Sequence, residues 1–109
     1  MIHAVKTAIP LPVEQLEAFC QAHDIIRLEL FGSILREDFR AESDVDFLVM
    51  FAPDRPCGLF ELFRLEDALS DLLKRPVQLT ERMGVEEMRN TLRRDEILRT
   101  VRVLYDEPA

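Results

Sequence analysis

The chain has 109 residues, with fourteen Lys and Arg against twenty-one Asp and Glu and a formal net charge of −7. That length fits a single domain spanning 1–109 with room for a real core, and that charge has the wrong sign for a generic nucleic-acid binder, whose affinity comes from neutralised phosphates. No apolar run forms a signal core or approaches the about 20 residues of a membrane span, and Cys20 and Cys57 read as free thiols, so a cytoplasmic protein without a membrane partner is expected.

A first helix is predicted from Leu11-Pro12-Val13-Glu14, where proline suits the first turn and Glu14 and Glu17 favour the positive end of the dipole. Val13, Leu16, Phe19 and Cys20 then recur at helical spacing. His23, near the end of that helix, is given no catalytic role. Ile25–Phe31 reads as a strand with Ile26, Leu28 and Leu30 on one face. Gly32-Ser33 breaks it, residues 34–39 suggest a short helix, and residues 40–43 a polar turn. Val45–Phe51 is strongly apolar and asks for burial on both faces, as a central strand does.

Leu59, Leu62, Phe63, Leu69, Leu72 and Leu73 mark the core-facing side of a long helix, with Glu66 as its one polar interruption. Pro76 stops it, and residues 77–80 look like a third short strand. Residues 84–92 are expected to be helical, and Ile97, Leu98, Val101, Leu104 and Tyr105 form the stripe of a last helix starting near Asp95. The expected class is α/β (α+β), a small mixed sheet covered by helices. Arg89, Arg93, Arg94, Arg99 and Arg102 cluster near the C-terminus. They read either as a solvated face interleaved with Asp95 and Glu96, or as a basic face offered to a nucleotide phosphate or an acidic protein.

The feature with chemical content is Gly32-Ser33, ten residues, then Asp44-Val45-Asp46. Glycine lets the backbone turn tightly and approach a ligand. The amides that follow, opening the expected short helix, favour an anion such as a triphosphate, and the Ser33 hydroxyl can donate to a phosphate oxygen. Asp44 and Asp46 lie two apart at the mouth of a strand and so share a face. Two hard carboxylates there repel unless a cation sits between them, and Mg²⁺ completed by substrate phosphate oxygens suits them.

Leu30-Phe31-Gly32-Ser33-Ile34-Leu35-Arg36 with Ser43-Asp44-Val45-Asp46-Phe47-Leu48-Val49 resembles the core of the DNA polymerase β-like nucleotidyltransferase superfamily. More closely, the chain resembles the minimal nucleotidyltransferases that serve as MntA-type antitoxins beside HEPN-domain toxins. The resemblance implies the polymerase β-like fold and a nucleoside triphosphate bound at Gly32, Ser33 and Arg36. It also implies Mg²⁺ on the catalytic pair Asp44 and Asp46, and transfer of AMP from ATP to a tyrosine hydroxyl of the partner toxin. The family usually places a third carboxylate on the third strand, where this chain has Val77-Gln78-Leu79. An amide can hold a hydrogen bond but cannot accept a proton as a carboxylate does. Glu29 and Glu81 are the alternative carboxylates on neighbouring strands.

Three functions are consistent with these residues: a metal-dependent adenylyltransferase, a degenerate transferase that neutralises its toxin by masking it, and a scaffold using neither metal nor nucleotide. A bound ATP separates the first two from the third, and the effect of Gln78→Asp separates the first from the second.

Overall fold

In the computed structural model, residues 1–55 and 57–107 are described. Helix α1 (Val13–Ala22) leads into strand β1 (Ile25–Phe31), and a 3₁₀ turn (Gly32–Leu35) followed by a loop over residues 36–44 separates this from β2 (Val45–Phe51). Helix α2 (Leu59–Leu73) crosses over to β3 (Val77–Glu81), followed by α3 (Arg82–Glu86), α4 (Thr91–Thr100) and β4 (Arg102–Asp106). The strands form one mixed sheet in the order β3-β2-β1-β4. Only β2 and β3 are parallel, the pair joined through α2, as a parallel pair requires a crossover.

The sheet has two apolar faces of unequal size. On one, Leu16 and Cys20 of α1 and Leu65 and Leu69 of α2 pack on Leu28, Leu30, Val45, Phe47, Val49, Val77, Leu79 and Leu104, all buried. On the other, Phe31 and Leu48 lie under Val85 of α3 and Ile97 of α4. β2 is central, which accounts for its nearly unbroken apolar run. Glu29 is buried on the smaller face, with its carboxylate hydrogen-bonded to Arg82 and 3.7 Å from Arg27 Nε.

Both sheet edges are covered. At β4, His3 N–H donates to the Leu104 carbonyl at 2.8 Å and Ile2 bridges Tyr105. At β3, the outward N–H groups of Val77 and Leu79 donate to α2 side chains, to Ser70 Oγ at 3.1 Å and to Glu66 Oε2 at 2.8 Å. Residues four apart on a helix thus meet residues two apart on a strand. Glu66 interrupts the apolar stripe because an edge donor needs an acceptor there.

Four sequence expectations are corrected. The last helix begins at Thr91, where Asn90 Oδ1 accepts the Arg93 N–H at 3.1 Å, and ends at Thr100. Val101, Leu104 and Tyr105 therefore do not continue its stripe: residues 102–106 form β4, the fourth strand, on the free side of β1. Their apolar spacing fits either period, and a vacant sheet edge decides in favour of the strand. Residues 34–39 form no short α-helix, since the 3₁₀ turn stops at Leu35 and Arg36 is already extended. Ile26 falls out of line with Leu28 and Leu30 at a β-bulge, which leaves Ile25 buried in its place. Leu59 and Phe63 are 66% and 50% exposed, so the core-facing side of α2 begins at Leu62 and runs through Leu65 and Leu69.

Candidate functional site

The Gly32-Ser33 turn and the Asp44–Asp46 segment meet because β1 and β2 are antiparallel neighbours, with Phe31 opposite Asp46. Gly32 has φ +79°, and a Cβ on it would lie 2.5 Å from Asp46 Oδ2. Glycine is demanded here twice, by the left-handed backbone and by the carboxylate pressed against it. Asp44 stands exposed just ahead of β2, whereas Asp46 is half-buried at its second residue.

Burial, and then the charge of Asp44, push the Asp46 carboxyl up to about 6, with Arg93 and Arg36 pulling the other way. A cavity of about 190 Å³ opens over Asp46. Its floor is Phe31, Gly32 and Ser33, Arg36 lies at its side, and Arg93, Glu96, Ile97 and Thr100 of α4 form its roof. A second chamber of about 520 Å³ continues from it past Gly32, lined among others by Lys6, Arg36 and Arg102.

All five residues singled out in the sequence, Gly32, Ser33, Arg36, Asp44 and Asp46, thus fall around one locus, though Arg36 is exposed and paired with Asp38 at 3.0 Å. The anion-favouring helix start shrinks to the amides of one 3₁₀ turn. Arg93 is the residue whose place here the sequence did not single out. It stood among five clustered arginines, and the signal that phases it is the Asn90 cap, which puts residues 93, 96, 97 and 100 on one side of α4. Of the others, Arg94 pairs with Asp95 at 3.2 Å and Arg102 lines the second chamber.

Gln78 lies beside Asp46 in the parallel register of β2 and β3. Neither alternative carboxylate reaches that spot. Glu29 is opposite Leu48, two residues further into the sheet, and is neutralised by Arg82. Glu81 is level with Val49, about 10 Å along β3 from Gln78. Among the described residues no third His, Cys, Asp or Glu joins the aspartate pair in a metal-binding cluster.

The donor set nevertheless fits a hard divalent cation. Asp46 carries an unfavourable burden from burial and from Asp44 that a cation would relieve, and Mg²⁺ is commonly held by one or two carboxylates with substrate phosphates completing the shell.

In sequence, residues 13–104 match the profile of the nucleotidyltransferase domain family. No curated protein is significantly similar in sequence. Among solved structures, one described as a candidate minimal nucleotidyltransferase is 31% identical, with 89% of this chain and 88% of that one covered and a TM-score of 0.61. A toxin–antitoxin crystal structure containing AMP-PNP superposes with a TM-score of 0.69 at 17% identity, covering 89% of this chain and 75% of that one. An MntA-HepT toxin–antitoxin structure gives 0.60 at 15% identity, covering 87% and 70%. The last two share the fold, in keeping with the resemblance to MntA-type antitoxins. The profile match over most of the length, together with the 31% identical relative, places the chain in the nucleotidyltransferase domain family.

Proposed function

We propose that this nucleotidyltransferase domain is the antitoxin of a HEPN-domain toxin, acting in the cytoplasm as a single domain that transfers AMP from ATP to a tyrosine hydroxyl of its partner. The observation that carries the reading is the meeting of the Gly32-Ser33 turn with Asp44 and Asp46 under the Arg93 side of α4. Toxin–antitoxin structures, one of them holding an ATP analogue, supply the analogy for partner and nucleotide.

In this reading Ser33 donates to a phosphate oxygen, and Arg93 with Arg36 offsets the charge of the triphosphate beside the two aspartates. Mg²⁺ held by Asp44 and Asp46 would supply Lewis-acid stabilisation of the charge that builds on the phosphate oxygens. The acceptor hydroxyl oxygen bonds to the α-phosphorus, the α–β phosphoanhydride bond breaks, and pyrophosphate leaves. Gln78 can orient the acceptor hydroxyl but cannot take its proton, which passes to solvent.

The test is incubation of the chain with its cognate toxin, Mg²⁺ and ATP labelled at the α-phosphate. Label should appear on the toxin with the parent and vanish with Asp44→Ala. No transfer across Mg²⁺ and Mn²⁺ refutes the enzyme reading. Gln78 favours a second reading, a catalytically silent antitoxin that masks its partner, for which toxin inhibition would persist in Asp44→Ala.

A further inference from the structure

Arg75, in the short connection between α2 and β3, makes contacts out of proportion to a surface arginine. Its guanidinium lies over the Phe39 ring, 4.7 Å from the centroid. Its Nη1 points at three backbone carbonyls of the segment leading to β2: Arg40 at 3.4 Å, Ala41 at 3.5 Å and Ser43 at 3.3 Å. With two hydrogens for three acceptors, Nη1 is shared among them. Three converging carbonyls repel one another unless a donor cation fills the space between them.

The next residue completes the attachment, because the Pro76 carbonyl accepts the Val45 N–H at 3.0 Å. Asp44 is therefore bracketed. Ser43 before it is fastened to Arg75, and Val45 after it to Pro76. The loop adds its own closure, with Ser43 N–H to Arg40 O at 3.0 Å and Arg40 N–H to Ser43 Oγ at 2.9 Å. The charges that act on Asp46 are those of Asp44, Arg93 and Arg36, and Arg75 is not among them.

We propose that Arg75 is a positioning residue: by pinning the Phe39–Ser43 loop it holds the exposed Asp44 where it acts with Asp46 on the cation. This rests on the metal-site reading given under Proposed function. A long exposed loop would otherwise leave Asp44 to sample many orientations, and residues that hold a metal ligand in place govern metal affinity in this way.

The experiment compares the full chain with Arg75→Ala, well below the melting temperature of each, by amide hydrogen exchange and by Mn²⁺ titration followed by electron paramagnetic resonance. Exchange at residues 40–44 should rise and the Mn²⁺ dissociation constant should increase about tenfold, with the exchange of β1 and β2 unchanged. Unchanged loop exchange overturns the pinning. Faster loop exchange with parental Mn²⁺ affinity overturns the positioning role and leaves Arg75 a purely structural staple. If the parent binds no Mn²⁺, the metal-site reading falls and the positioning role with it, and the exchange data still report the loop separately. Should Arg75→Ala fail to fold, Phe39→Leu removes the stacking face and is judged by the same two readouts.

Discussion

Asp46 and Gln78 lie side by side on adjacent parallel strands, at the position where the family resemblance calls for a third carboxylate. The register makes Gln78→Asp a simple restoration rather than a redesign. If the parent turns over slowly for want of a proton acceptor, the variant should transfer AMP faster by about 10² to 10⁴, the usual contribution of general acid–base help. Quench-flow or timed labelling of the toxin measures this. An unchanged rate would mean that proton removal does not limit the reaction.

The raised pKa of Asp46 makes stability depend on pH in a definite direction. The folded carboxyl titrates at about 6 against an ordinary value of 3.8, so the fold prefers the protonated form. That preference is fully present below about pH 4, is lost as pH rises through 6, and leaves a constant penalty above it. That difference corresponds to roughly 3 kcal/mol at most, and partial solvent access reduces this to on the order of 1 kcal/mol. Asp46→Asn removes the penalty. Without metal or nucleotide, in EDTA, it should melt a few degrees above the parent at pH 7.5, by roughly 4–8 °C per kcal/mol for a domain of this size. At pH 4 the two should coincide. A difference that does not change with pH would dissociate the effect from titration of Asp46.

Gly32→Ala tests the contact between turn and carboxylate. The left-handed backbone alone costs a non-glycine residue about 1–2 kcal/mol, and the added methyl must displace Asp46 Oδ2 from 2.5 Å. Chemical denaturation should show a loss of about 2 kcal/mol, and calorimetry should show ATP–Mg²⁺ binding reduced far beyond what that loss explains. Parental nucleotide affinity in the folded variant would remove Gly32 from the site.

What the sequence made legible divides along the range of the interactions involved. Gly32, Ser33, Asp44 and Asp46 could be read because each demand is local: a turn without a Cβ, a hydroxyl after it, two carboxylates on one extended segment. β1, β2, α2 and β3 could be read from apolar periodicity and from Pro76. β4 could not, because Val101, Leu104 and Tyr105 suit a helix as well as a strand, and the deciding partner is the edge of β1 some seventy residues earlier. Arg93 was hidden among its neighbours until the Asn90 cap set the phase of α4. Glu66 looked like a flaw in an apolar stripe because its reason, the Leu79 N–H, belongs to another element.

That last pairing yields a prediction about the sheet edge. Glu66→Ala strips Leu79 N–H of its acceptor and should cost about 1–2 kcal/mol, the penalty of an unmet donor partly open to water. Glu66→Gln keeps a side-chain oxygen that can accept, and should lie close to the parent. Ser70→Ala added to Glu66→Ala frees the two outward donors of β3, at Val77 and Leu79, and unpaired edge donors invite another strand. Sedimentation velocity over a concentration series should then show self-association that the parent lacks. Gln78 stands between the two freed positions, so the same double variant should also disturb the neighbour of Asp46 and weaken Mn²⁺ binding. Stability and association matching the parent would mean that the α2 side chains merely touch the edge, and that something other than Glu66 and Ser70 keeps it closed.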